Sequence, residues 1–284
     1  MQYLRQTSPL ALAELGKQHH AAYAAAQPYP HAVFDGVFSP EALRAIIAEF
    51  PDLRSNTDQL FDTPNEVKRA TLGEHRFGPQ MRGLMHFLNS QPFLEFLEAL
   101  TGITGLLPDP YFVGGGCHET LPGGFLKIHA DFNKQPRTNL DRRLNVLIYL
   151  NEDWDDAYGG HFEMWDAQMN GCVKKVSPAF NRMVVFTTTD SSFHGHPEPL
   201  TCPPGRSRRS LALYYYTNGR PEEEQTAAGS EHSTVFVYRK SLDQAAREYS
   251  KQIFRDRTLR GITRELVPPA LMNTFRKLAG RPLS

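Results

Sequence analysis

The sequence predicts a mostly β core flanked by helices, an α+β chain, and three observations carry that prediction. Helix-like segments with their own start and stop signals crowd the first hundred or so residues, and from about residue 108 short apolar runs alternate with Gly, Pro, Asn and Asp. One of those runs, "RLNVLIYL", is apolar at nearly every position. Short strands at such spacing suggest a sandwich or a barrel. A strand without alternation is covered on both faces, and flanking helices could supply the outer cover.

Taken in order, "FSPEALRAIIAEFP" offers Ser39 as N-cap, Pro40 at the first helical position and Pro51 as a stop. "GPQMRGLMHFLNS" and "QPFLEFLEALTG" repeat that style, the second ending at Gly102. The strand candidates are "PYFVGGGCH", "GGFLKIHAD", "RRLNVLIYLN", "GGHFEMWD", "GCVKKVS", "NRMVVFTTT" and "RRSLALYYYT". After about residue 220, "GRPEEEQTAAGSEHS" reads as an exposed loop, "TVFVY" as a strand, and "SLDQAAREYSKQIF" and "PALMNTFRKLAG" as helices. The expected division is residues 1–105 as a helical region packing on the barrel, 106–220 as the core, and 221–284 as an exposed loop with a C-terminal helical region.

Composition narrows the function classes. The 284 residues are 40% hydrophobic and 22% charged, as in an ordinary globular protein with a sizeable core. Thirty-one basic residues balance thirty-one acidic ones, so no global field recruits nucleic acid or an anionic membrane, and the short "RSRR" cluster does not change this. The first residues, "MQYLRQTSPLALAELGKQHH", have apolar runs too short for a signal peptide or a membrane span. Cys117, Cys172 and Cys202 form no CxxC pair, which suits a reducing compartment. A cytoplasmic protein is expected, with no membrane or nucleic-acid partner; its oligomeric state is left open.

The chemistry starts from "FLKIHADFN". In an extended strand His129 and Asp131 project the same way. Eleven histidines and fourteen aspartates make one chance His-x-Asp ordinary, so the pair needs a third group. "SSFHGHPEPL" supplies two downstream candidates, His194 and His196. Two histidines and a carboxylate on one face of a metal leave three positions open, the arrangement suited to non-haem Fe(II) oxygenases. Further on, "GRSRRSLALYYYT" opens a strand with Arg208 and Arg209. An arginine inside a barrel needs an anion, and its fork matches a carboxylate. Arg209 shares a face with Leu211, Leu213 and Tyr215, so it is expected to point inward, with Tyr215 as a second lining candidate and Arg208 outward. A bulge at "PPGRS" would exchange the two arginines.

Together these residues resemble the Fe(II)/2-oxoglutarate-dependent dioxygenases of the prolyl-4-hydroxylase-like type. The H-x-D at His129 and Asp131, the distal His194 in "FHG", the arginines at 208 and 209, and the intervening "YLNEDWDDAYGGHFEMWD" carry the likeness; "PYPHAVFDGVFSPEAL" also resembles the opening segment of that group. The likeness spans about residues 28–218. It implies a double-stranded β-helix (jelly-roll, cupin-like) core and Fe(II) on His129, Asp131 and His194. It also implies 2-oxoglutarate and O2 as cosubstrates, ascorbate for reactivation, and an arginine on the far carboxylate of 2-oxoglutarate. His118 lies where family members send a polar side chain toward that cosubstrate; a buried histidine with its own partners is the other reading. The implied reaction hydroxylates a C–H bond of a peptidyl or amino-acid-like substrate and releases succinate and CO2. Related halogenases replace the carboxylate with a small residue, so Asp131 points to hydroxylation. Two alternatives stand beside it: hydroxylation of a small secondary metabolite, and a cupin-like metal enzyme without 2-oxoglutarate, against which the strand-opening arginine argues.

Overall fold

Among the residues described in the computed structural model, 3–5, 8–221, 231–239 and 242–266, the chain forms five α-helices and thirteen strands. The first part contains α1 (Pro9–Ala24), β1 (His31–Asp35), α2 (Pro40–Ala48), β2 (Gln59–Thr63), β3 (Glu66–Ala70), α3 (Pro79–Leu88) and α4 (Gln91–Thr101). There follow β4 (Leu107–Pro108), β5 (Gly116–Thr120), β6 (Phe125–Ala130), β7 (Asp141–Tyr149), β8 (Phe162–Trp165), β9 (Cys172–Val176) and β10 (Arg182–Thr187). The last elements are β11 (His194–His196), β12 (Arg208–Thr217), β13 (Val235–Phe236) and α5 (Gln244–Leu266).

The helices begin and end where their residues dictate. Ser39 Oγ accepts from the Ala42 amide at 3.2 Å, with Pro40 at the first position of α2. α4 stops at Gly102, whose left-handed φ of 74° glycine adopts without a Cβ clash. In α2, α3 and α4 the buried residues recur at helical spacing, as Met81, Leu84, Met85 and Leu88 do in α3.

All strand pairs are antiparallel, in the order β1-β10-β7-β12-β5-β3-β6-β11-β8-β9. Strands β10, β7, β12 and β5 form one layer and β6, β11, β8 and β9 the other, and from β5 to β12 the chain crosses repeatedly between them. That is the jelly-roll path of a double-stranded β-helix. β3 pairs with both β5 and β6 and so joins the layers at one edge.

Strand parity then sorts the side chains. Leu144, Val146 and Ile148 of β7, with Leu211, Leu213 and Tyr215 of β12, share a core with the residues of α1 to α4. Tyr149 of β7 points the other way and packs with Phe162, Val184 and Phe186 inside the barrel, with Leu147 against them. The nearly continuous apolar run of β7 therefore reflects two covered faces.

The segment expected to be helical, residues 1–105, also contributes β1, β2 and β3 to the sheet. β2 and β3 carry no clean apolar alternation, because both are half-exposed along most of their length. By contact, the chain divides into Met1–Val237 and Tyr238–Ser284. β13 lies within the expected "TVFVY" strand, and α5 contains most of the "SLDQAAREYSKQIF" helix. The "PALMNTFRKLAG" helix and residues 222–230 of the expected loop lie outside the described residues. No described helix is long and apolar enough to cross a membrane.

Candidate metal centre and its cavity

His129 stands near the end of β6, Asp131 just beyond it, and His194 opens β11, where it is the direct cross-strand partner of His129. Both histidines are 5% exposed, so their rings lie inside the barrel. His129 donates Nδ1–H to the Lys127 carbonyl at 2.9 Å, and His194 donates Nδ1–H to the Ser192 carbonyl at 2.8 Å. A carbonyl only accepts, so each ring carries its proton on Nδ1 and turns the Nε2 lone pair inward. Those lone pairs face one carboxylate: His129 Nε2 is 3.6 Å from Asp131 Oδ1, and His194 Nε2 is 3.4 Å from Asp131 Oδ2. One ligand atom from each of the three lies within 4.8 Å of the others. Two imidazoles and one carboxylate form the donor set of a divalent transition metal with open positions.

Buried polar groups hold the carboxylate. Asn145 Nδ2 donates to Asp131 Oδ2 at 2.7 Å, and Arg142 Nη2 lies 3.1 Å from the same oxygen. Arg142 is fully buried, with its guanidinium over the rings of Tyr214 and Phe132. Burial works to raise the Asp131 pKa, but the Arg142 charge and the two histidines hold it well below the usual carboxylate range. Burial dominates at His194 and pushes its imidazole down to about 4. The carboxylate is thus charged and that imidazole neutral at physiological pH, the protonation states a metal requires.

The triad opens on a cavity whose polar wall includes Lys68, His118, Thr120, His196, Arg208 and Ser210. Leu126, Leu147 and Phe162 supply apolar wall. A neighbouring opening shares Lys68, His118 and Tyr214 and adds Phe61, Phe132 and Thr234.

The arginines of β12 take the reverse of their expected faces. Arg208 lies inside, 6% exposed; its Nε donates to the Gly160 carbonyl at 2.7 Å and its Nη2 to the Tyr149 hydroxyl at 3.2 Å. It makes no ion pair among the described residues. Arg209 points out of the barrel, where its Nε meets Glu119 Oε1 at 3.1 Å and its guanidinium covers Phe50. The larger apolar residues that share its face are buried under the helical layer. Tyr215, expected as a second lining residue, donates its hydroxyl to the Leu88 carbonyl at 2.8 Å on that same side. The inward face carries Ser210, Ala212 and Tyr214, small enough in its first two members to leave room for a ligand.

Of the remaining histidines, His118 reaches the cavity and donates Nε2–H to the Gly114 carbonyl at 3.0 Å. Burial, with the Lys68 charge second, pushes its imidazole down to about 3. His196 is buried in the same wall, and burial, then the Arg208 charge, hold its pKa well below the ordinary value. Arg142 and Asn145 were not among the expected site residues. Their signal was present in part: Asn145 interrupts the apolar run Leu144–Leu150, and Arg142 lies in the polar start of the same strand with Asp141 and Arg143.

Residues 115–216 match the model of the 2OG-Fe(II) oxygenase superfamily. A prolyl-4-hydroxylase from Pseudomonas putida is 20% identical, with a TM-score of 0.51 over 73% of this chain and 100% of that one. A prolyl hydroxylase from Trichoplax adhaerens, solved with a hypoxia inducible factor oxygen degradation domain peptide fragment, is 16% identical, with a TM-score of 0.52 over 78% of this chain and 96% of that one. Prolyl 4-hydroxylase from Phytophthora capsici is 17% identical at a TM-score of 0.51, over 75% of this chain and 68% of that one. At these identities the likeness is one of fold. No curated protein matches the sequence.

Proposed function

We propose that this chain, whose residues 115–216 match the 2OG-Fe(II) oxygenase superfamily on a prolyl-4-hydroxylase-like fold, is a 2-oxoglutarate-dependent iron dioxygenase and that His129, Asp131 and His194 hold its Fe(II). The observation that carries this assignment is the convergence of two Nε2 lone pairs on one oriented carboxylate. When bound, the iron supplies the dioxygen activation by which 2-oxoglutarate becomes succinate and CO2 and a C–H bond becomes C–OH.

We propose Arg208, not Arg209, as the anchor of the far carboxylate of 2-oxoglutarate. A buried guanidinium without a carboxylate partner is costly unless an anion joins it, and its planar fork fits a carboxylate. Leu126, Leu147 and Phe162 would exclude water around the bound cosubstrate. Arg142 and Asn145 would fix the direction of Asp131. The aromatic side of the neighbouring opening, with Phe61, Phe132 and Tyr214, would receive the substrate.

For substrate, a peptidyl or amino-acid-like compound is the reading we favour, supported by the peptide bound to the Trichoplax relative. Ascorbate as a reactivating reductant follows the same family expectation. The free thiols of Cys117, Cys172 and Cys202 suit a reducing, cytoplasmic setting. The test is succinate formation from 2-oxoglutarate with Fe(II) and air, first without substrate and then across peptides and amino acids. One compound should accelerate it, and His129→Ala should abolish it. Full turnover in that variant would remove the metal site.

A further inference from the structure

His196 is 5% exposed, yet neither of its ring nitrogens makes a hydrogen bond among the described residues. His129 and His194 differ sharply, since each has its Nδ1 tied to a carbonyl two residues back. The strand is irregular between His194 and His196: His194 pairs with His129, but His196 pairs with Leu126, so its ring stands away from the three-ligand cluster. It lies in the cavity wall with Arg208, Thr120 and Ser210.

The two nitrogens are not equivalent. Nδ1 is enclosed by protein with nothing to bond, whereas Nε2 is not enclosed. A neutral imidazole has one N–H and one lone pair, and a buried unpaired donor is tolerated less readily than a buried unpaired acceptor. The proton therefore belongs on Nε2, which presents a donor to the cavity. Arg208 faces the same space with two of its nitrogens committed, Nε to Gly160 and Nη2 to Tyr149, and with no hydrogen bond at Nη1. Two donors and no acceptor partner on one wall call for an anion with two acceptor oxygens.

We propose that His196 is a positioning residue for 2-oxoglutarate, donating from Nε2 to the far carboxylate beside Arg208. The inference rests on the assignment of Arg208 as the anchor. It separates His196 from the metal ligands and gives its open Nε2 donor a partner, the cosubstrate itself.

The test compares two ligands on protein loaded with Mn(II) under anaerobic conditions: 2-oxoglutarate, and 2-oxopentanoate, the five-carbon 2-oxo acid without the far carboxylate. Calorimetric titration of His196→Ala should show roughly tenfold weaker binding of 2-oxoglutarate. Binding of 2-oxopentanoate and the metal stoichiometry should be unchanged. His196→Gln, which retains an N–H donor, should recover most of the loss and guards against a folding defect in the alanine variant. Equal weakening for both ligands, loss of metal, or no weakening at all would overturn the proposal. If Arg208→Ala also left 2-oxoglutarate affinity intact, the anchor itself would fall; a large Arg208 effect with a silent His196 would remove only the role of His196.

Discussion

Arg142 Nη2 lies 3.1 Å from Asp131 Oδ2, and the same guanidinium donates through Nε and Nη2 to Asn145 Oδ1 at 2.9 and 2.7 Å. Asn145 closes the triangle with its own donor on Asp131 at 2.7 Å. The carboxylate is thereby aimed before any metal arrives. Arg142→Met keeps much of the volume and the packing against Tyr214 and Phe132 but removes the charge. Metal affinity is expected to fall about 10- to 100-fold, the usual effect of losing a group that orients a ligand. The metal-free variant should also lose about 3–5 kcal/mol, because a buried charge is left without its partner. Mn(II) titration and denaturant melts of the metal-free protein measure the two effects; unchanged metal affinity would show that Asn145 alone suffices.

Arg208→Ala and Arg209→Ala should separate cleanly. The first is expected to weaken 2-oxoglutarate binding tenfold or more, given about 1.5–3 kcal/mol for a hydrogen bond to a charged group. The second should leave that affinity within about twofold, since its guanidinium lies outside the barrel on Glu119. Its cost falls on stability: Glu119 is 1% exposed and would keep only Ser207 and the more distant Arg54. Titrations with metal present and oxygen excluded, alongside thermal melts, decide the pair. Loss of affinity in Arg209→Ala alone would reverse the assignment.

Metal should stabilise the fold through the triad. A ligand that binds only the native state at a hundred times its Kd contributes about 2.7 kcal/mol. Adding a chelator should therefore lower the melting temperature of the wild type by several degrees. His129→Ala, with one Nε2 donor gone, should melt at the same temperature with and without metal. A full metal response in that variant would place the ion elsewhere.

The difference between the two arginines also marks how far the sequence could be read. The H-x-D, the downstream histidines and the short-strand rhythm of the core are local patterns, legible without a fold. Which face of β12 holds a ligand is not local. Leu211, Leu213 and Tyr215 announced burial, but hydrophobicity does not distinguish burial under helices from burial inside a barrel. The face that borders the cavity is the one with Ser210 and Ala212, because a cavity needs small residues. β2 and β3 escaped for a related reason: strands half-exposed along their length leave no period-two apolar signal.

Those two faces of β12 can be tested one residue apart. Leu211 is fully buried in the core shared by sheet and helices, so Leu211→Ala should cost about 2–5 kcal/mol through lost burial and the cavity left behind. The interior wall is untouched, and 2-oxoglutarate affinity should stay within about twofold of the wild type. Ala212, the next residue, lies opposite Leu147 in the cross-strand register and borders the cavity. Ala212→Leu would project three additional carbons into space a ligand needs, without first displacing a packed core. Stability should change by less than about 1 kcal/mol, below the roughly 1–3 kcal/mol usual when methylenes are forced into a filled interior. Binding of 2-oxoglutarate should fall at least tenfold. Paired melts and anaerobic titrations give each variant two readings, and the expected pattern is crossed: one unstable but able to bind, the other stable but unable. An Ala212→Leu protein that binds 2-oxoglutarate normally would mean that the cosubstrate does not lie against this strand.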